Sequence, residues 1–300
     1  MLLRERPLSL PGESIRRTAR FRWVILIGHS YMRNRTAMAG AIVLTLFALA
    51  AVFAGVVAPH DPLEQVWTET LEQPSLKHPM GTDDLGRDLL SRVIYGGRVS
   101  LQVGILSVGI AVAIGVTAGL TAGYYGGWLD TLIMRIVDAA LAFPSLLLAI
   151  LIVGVLGPSL RNAMLAIAVA FIPAFARITR ANALSVREHE YVEAARALGA
   201  GTFHIVRKAV LPNLLSPIIV ATSLSMGAAI LIEAGLSFLG LGIQPPTPAW
   251  GSMLSFGRKF ITMAWWLSLF PGLAIFLTVL SLNFVGDGLR EALDPRQRRR

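Results

Sequence analysis

The sequence contains no cysteine, which excludes a disulfide framework and a thiolate metal site. Charge is also scarce: 15% of the 300 residues are Asp, Glu, Lys or Arg, where a soluble domain carries about a quarter. No glycine–lysine pair occurs, so there is no phosphate-binding loop of the GxxxxGK[ST] type. The five histidines, at 29, 60, 78, 189 and 204, show no HExxH or other ligand spacing. His60, His78 and nearby acidic residues are compatible in principle with a metal, but a solvated loop is the reading here, and no metal site is expected. Neither Gly-x-Ser-x-Gly nor a Ser/His/Asp constellation is recognisable, so no catalytic residue is assigned. Energised work by this chain would draw its energy from another subunit.

What is present is apolar. The hydrophobic share is 54% and the mean hydropathy is +0.63, the signature of a polytopic membrane protein. The net charge of +9 sits beside the apolar segments, which is the pattern of membrane topology rather than of a nucleic-acid groove.

Residues 1–35 form a basic leader, with Arg16, Arg17, Arg20 and Arg22 at its centre. Its inner part, 15–31, reads either as an amphipathic helix in the headgroup plane or as a disordered leader. A first span follows at 37–57, since roughly 20 residues cross the hydrocarbon core. Segment 58–98 is long, polar and acidic in its outer part, which puts the leader in the cytoplasm and this loop outside. Further spans are expected at 99–124, 131–156, 163–177 (short and interrupted by Pro173), 214–236 and 266–285. Between them lie a polar connection at 178–213 and an external segment at 237–265 that is rich in glycine and proline. The six-span domain thus covers 36–287, a basic tail covers 288–300, and both termini fall in the cytoplasm. The fold class is all-α.

The connection at 178–213 is polar yet patterned. Val192, Ala195 and Leu198 recur at helical spacing, then Gly199 and Gly201 supply the freedom for a reversal. A second helix is expected from Thr202, as N-cap, to Leu211, with Phe203, Val206 and Val210 on one face and Pro212 ending it. The result is a helix–turn–helix elbow.

Glu193-Ala194-Ala195, followed by Gly199 and by Leu211-Pro212, resembles the EAA loop of binding-protein-dependent ABC importer permeases. Ala209 stands where that pattern has isoleucine. His78-Pro-Met-Gly-Thr-Asp-Asp-Leu-Gly-Arg-Asp88, Glu233-Ala-Gly-Leu-Ser-Phe-Leu-Gly and Gly286-Asp-Gly-Leu-Arg-Glu-Ala-Leu-Asp-Pro295 are similar to stretches of the C-type permease of dipeptide and oligopeptide importers. The resemblance covers about 36–295.

It implies a type I importer permease fold in a bacterial inner membrane, with half of a translocation path for di- or oligopeptides. It further implies a second related permease, two ATP-binding subunits or domains and an extracytoplasmic substrate-binding protein as partners. No cofactor is expected in this chain; ATP and magnesium would sit in the ATPase partners. Glu193, Ala194, Ala195, Gly199, Leu211 and Pro212 become the ATPase-coupling residues. Import of nickel complexes or another small solute, and an ATP-independent secondary transporter, remain the alternatives.

Ionisable residues in spans are functional candidates by default. Glu233 and Ser237 near the outer end of the fifth span, and Asp138 in the third, are the translocation-path candidates. A hydrogen-bonded structural role competes for Glu233, and mutual neutralisation with Arg135 competes for Asp138. Asp83, Asp84, Arg87 and Asp88 are candidates for binding-protein docking, or for capping a short external helix that starts at Asp84. Gly115 and Gly119 form a small-xxx-small pair suited to close packing inside the subunit.

Overall fold

A computed structural model describes residue 28 and residues 31–293. The interfacial-helix reading of 15–31 lies almost wholly outside the described residues, as does the tail from 294. The fold is all-α, with no strand among the described residues and one isolated bridge between Thr82 and Asp88.

Helix α1 covers Arg35–Val52, and Asn34 caps it by accepting the Ala37 N–H (3.0 Å). Helix α2 covers Leu89–Tyr125, starting well before residue 99, the expected beginning of the second span. The Gly96-Gly97 pair inside it is not a breaker. A Cβ at Gly96 would lie 2.9 Å from the Trp250 ring and one at Gly97 3.2 Å from it, so the glycines make room for an indole.

The expected third span is two helices, α3 (Gly127–Leu141) and α4 (Ser145–Leu156), bent by 89°. Pro144 stands at the break; it has no N–H to donate and disfavours helical geometry at Phe143. Helix α5 covers Leu160–Arg187 and runs through Pro173 without interruption, so the fourth span is neither short nor broken.

Helix α6 covers Glu190–Ala197. Helix α7 covers Thr202–Phe238 and includes a π turn at Val206–Val210. Helix α8 (Trp250–Gly257) lies inside the glycine- and proline-rich segment, where no helix is expected from the sequence. Helix α9 covers Trp266–Leu293. Helices α1, α2, α5, α7 and α9 are each long and apolar enough to cross a membrane, and the bent α3–α4 pair makes a sixth crossing if taken as one span.

Packing favours that count. A Cβ on Gly115 would sit 2.7 Å from the Ile172 carbonyl oxygen, one on Gly119 2.2 Å from that of Ala176, and one on Gly123 2.8 Å from that of Arg180. The two backbones therefore touch inside the chain, as the small-xxx-small pattern predicts. The contacts advance in the same order along both helices, so α2 and α5 run parallel. A parallel pair needs a return connection. The 28 residues of α5 rise about 42 Å, more than the roughly 30 Å hydrocarbon core, and α3 with α4 carries the chain back over that distance.

Around this seam, α1 and α9 pack antiparallel, with Gly40 against Ser281 and Gly288 against Ala37. Val103, Val108, Ile167, Phe171, Phe175 and Leu236 fill the centre, while Ile42, Leu46 and Leu49 point outward at helical spacing.

Gly119→Ala should destabilise the chain by about 1–3 kcal/mol, the usual cost of overpacking. Gly109→Ala, whose Cβ would meet nothing within 4 Å, should be neutral or slightly stabilising. Thermal unfolding of the two variants in lipid nanodiscs checks the contrast.

Candidate functional site

The elbow is built from its turn outward. Glu190 and Glu193 lie in the first turn of α6, where carboxylates complement the positive end of the helix. Gly199 takes φ +80°, its N–H bonds to the Arg196 carbonyl and the Ala200 N–H bonds to the Ala195 carbonyl (both 3.0 Å). This is the Schellman closure, which needs a residue with positive φ at the position Gly199 occupies.

The second half departs from expectation. Gly201, not Thr202, is the N-cap of α7, and Pro212 does not end the helix. The π turn just before it has wider i→i+5 bonding, which accommodates a residue without an N–H. The elbow therefore continues directly into the fifth span.

The faces also differ from the stripe read in the sequence. Val192, Ile205, Val210 and Leu214 are buried against Tyr124 and Ala183. Leu198 is 88% exposed and Phe203 76% exposed, because each sits at the turn, where the helical stripe no longer applies. Glu193, Ala194 and Pro212 are exposed, and Ala195 and Leu211 half-buried. The turn thus presents two large apolar side chains beside the Glu193-Ala194 surface. Tyr191 accepts a hydrogen bond at its hydroxyl from Asn213 Nδ2 (3.1 Å), tying α6 to α7.

Charged side chains fix the root of the elbow. Arg187 Nη1 donates to the carbonyls of Gly123 and Tyr124 (3.3 Å each), satisfying two carbonyls left open at the end of α2. Arg180 holds Asp130 of α3 with two bonds, the Nη2 bond at 2.6 Å. Asp138 pairs with Arg177 of α5, not with Arg135 on its own helix. Sequence spacing favours the i, i+3 partner, but α3 packs against α5, which brings Arg177 within reach of Asp138.

At the other end of α2, segment 58–88 is a folded cap rather than a solvated loop. Asp83 accepts the N–H groups of Leu85 and Arg87 (3.0 Å each) and the Arg87 guanidinium (2.7 Å). Asp88 caps α2 by accepting the Ser91 N–H (2.8 Å); the helix starts there and not at Asp84. Asp83 and Asp88 are buried, while Asp84 and Arg87 are half-buried. Burial raises the pKa of Asp84, helped by the charge of Asp83. Trp266 holds the cap to α9 by donating to the Thr82 carbonyl (3.2 Å), and Trp250 holds α8 to α2 by donating to the Val93 carbonyl (2.8 Å).

Glu233 is fully buried. One of its oxygens accepts the Ser237 hydroxyl (2.7 Å), and the other has no partner among the described residues. The structure thus joins two of the three path candidates and sets Asp138 apart, in the pair with Arg177.

Residues 115–299 match the family model for the binding-protein-dependent transport system inner membrane component, and residues 26–74 that for the N-terminal transmembrane domain of oligopeptide transport permease C. The chain is 50% identical over 266 residues to the dipeptide transport system permease protein DppC of Alkalihalophilus pseudofirmus, covering 89% of this chain and 88% of that one. The di/tripeptide transport system permease protein DppC of Pseudomonas aeruginosa is 48% identical (89% and 90%). The glutathione transport system permease protein GsiD of Escherichia coli is 46% identical (89% and 88%). In fold it is similar to a chain of the MetNI methionine ABC transporter in an inward-facing conformation, with TM-score 0.54, 20% identity, and coverage of 68% of this chain and 97% of that one.

Val192→Ala should cost about 2 kcal/mol, since it removes fully buried apolar groups and leaves a cavity. Leu198→Ala should stay within about 0.5 kcal/mol, as surface substitutions do. Unfolding temperatures of the purified variants separate the inward from the outward face.

Proposed function

The chain belongs to the binding-protein-dependent transport system inner membrane components, and on that premise we propose that it forms half of the peptide path of an ATP-driven importer. It is a multi-pass permease subunit of an ABC importer, of the oligopeptide permease C type. Its proposed cargo is di- and oligopeptides: two of the relatives above are named for dipeptides or di/tripeptides, and glutathione is itself a tripeptide. The proposed partners are a second permease, two ATP-binding subunits or domains that hold ATP and magnesium, and an extracytoplasmic binding protein.

The observation that carries the reading is the elbow. Its closed turn exposes Glu193, Ala194, Leu198 and Phe203, and its second helix is continuous with a span. We place the elbow in the cytoplasm, where Arg177, Arg180, Arg187, Arg196, Arg207 and Lys208 satisfy the positive-inside rule; both termini then share that side. The two exposed apolar side chains would enter a cleft of the ATPase, and the carboxylate of Glu193 would orient them.

Helix α7 has 37 residues, a rise of about 55 Å. A displacement of the elbow would therefore reach the Glu233–Ser237 pair at the far end, where α8 packs: a Cβ on Gly251 would lie 2.5 Å from the Ala234 Cα. ATP binding would favour the outward-open state and hydrolysis the inward one, through differential binding of the two states. Asp84 and Arg87, half-buried on the cap, remain the docking candidates for the binding protein.

Glu193→Lys and Gly199→Pro should each lower peptide uptake per ATP hydrolysed at least tenfold, with membrane insertion intact. Proteoliposomes holding the assembled transporter and its binding protein give that ratio. An unchanged ratio would remove the elbow from the coupling path.

A further inference from the structure

The cap gathers side chains that the transport reading does not use. His60 lies just past a short helix, Ala54–Val57, that follows α1, and its backbone N–H donates to Ser91 Oγ (3.1 Å) in the first turn of α2. That anchor sets its ring beside His78, with centroids 4.8 Å apart. His60 Nδ1 is buried and has no hydrogen-bond partner among the described residues. It faces Asp88 Oδ1 at 3.7 Å, and the same oxygen lies 2.8 Å from His78 Nδ1. Ligand atoms of His60, His78 and Asp88 all fall within 4.8 Å of one another. The three border a cavity of about 230 Å³ that Asp61, Glu64 and Glu69 also line.

We propose that His60, His78 and Asp88 form a binding site for a divalent transition-metal cation of the zinc(II) type. Two imidazoles and one carboxylate suit zinc, copper(II) or nickel(II), and disfavour calcium and magnesium, which take oxygen ligands. Zinc bonds to nitrogen and oxygen are about 2.0–2.2 Å, so the ligand atoms of a tetrahedral centre lie roughly 3.4 Å apart. The His60–Asp88 distance already fits. His78 has to withdraw from Asp88 by about half an ångström, as the cation takes the place of the proton between them.

The surroundings are those of a ligand set. His78 Nε2 faces Glu69 Oε2 at 3.0 Å, and a carboxylate behind a ligating imidazole fixes its tautomer and orientation. Asp88 turns one oxygen to the histidines, while the other accepts the N–H and hydroxyl of Ser91 (2.8 and 2.7 Å). A second grouping, Glu69, Glu72 and His78, is weaker because Lys77 already neutralises Glu69. A bound cation would staple the two ends of the cap to the start of α2 at one point.

The test is zinc titration of the full-length chain, purified with whatever subunits accompany it from the membrane and stripped with a chelator. Wild type should bind one more zinc per chain than His60→Ala, or bind it about 100-fold more tightly. Glu69→Gln should weaken binding 10–100-fold, the range for a partner behind a ligand. Equal zinc content and affinity in wild type and His60→Ala would overturn the site and leave a hydrogen-bonded network only. Zinc-edge X-ray absorption needs no variant: two imidazole nitrogens in the first shell support the site, and an oxygen-only shell overturns it.

Discussion

The rest of the molecule depends on two helix backbones meeting at Gly115, Gly119 and Gly123. In lipid, apolar side chains gain little by leaving one apolar surface for another, so close van der Waals packing has to hold helices together. Three glycines along one face of α2 let α5 approach until carbonyl oxygens occupy the space a Cβ would need. Because the two helices run parallel, α3 and α4 must return the chain, and the α3–α5 ion pairs follow from that path. Arg187 then closes the end of α2 from the root of the elbow. Packing, topology and the position of the elbow are one arrangement.

The elbow itself is a short rigid part on that frame. Its Schellman turn is closed by backbone bonds and its inward side chains are fully buried, so the outward surface is free to serve a partner without supporting the fold. At the other end, the Trp266 indole binds the Thr82 carbonyl and holds the cap to α9, while the Trp250 indole binds the Val93 carbonyl and holds α8 to α2. Helix α7 joins the two ends. This layout gives the proposed coupling a physical route, from exposed Leu198 and Phe203 through a continuous helix to the buried Glu233–Ser237 pair.

Much of this was legible in the sequence. Apolar runs of span length, the glycine spacing of α2 and the turn at Gly199 each follow from local chemistry, and the family resemblance was readable in contiguous motifs. What was not legible depends on tertiary context. Pro144 breaks a helix, whereas Pro173 and Pro212 do not, and a π turn stands just before Pro212. Asp138 finds Arg177 across a helix interface instead of its neighbour Arg135. Leu198 and Phe203 belong to apolar stripes by spacing, yet the turn exposes both. The cap reads as solvated because its partner Trp266 lies far along the chain.

The most direct test of the proposed coupling surface uses the absence of cysteine, which makes any introduced thiol unique in this chain. A photoactivatable crosslinker attached at Leu198→Cys, in the assembled transporter in native membranes, should capture the ATP-binding subunit. The same probe at Val192→Cys, on the buried face, should not. An ATPase adduct from position 198 alone is the predicted result; no adduct from 198, or equal adducts from both positions, would contradict the account.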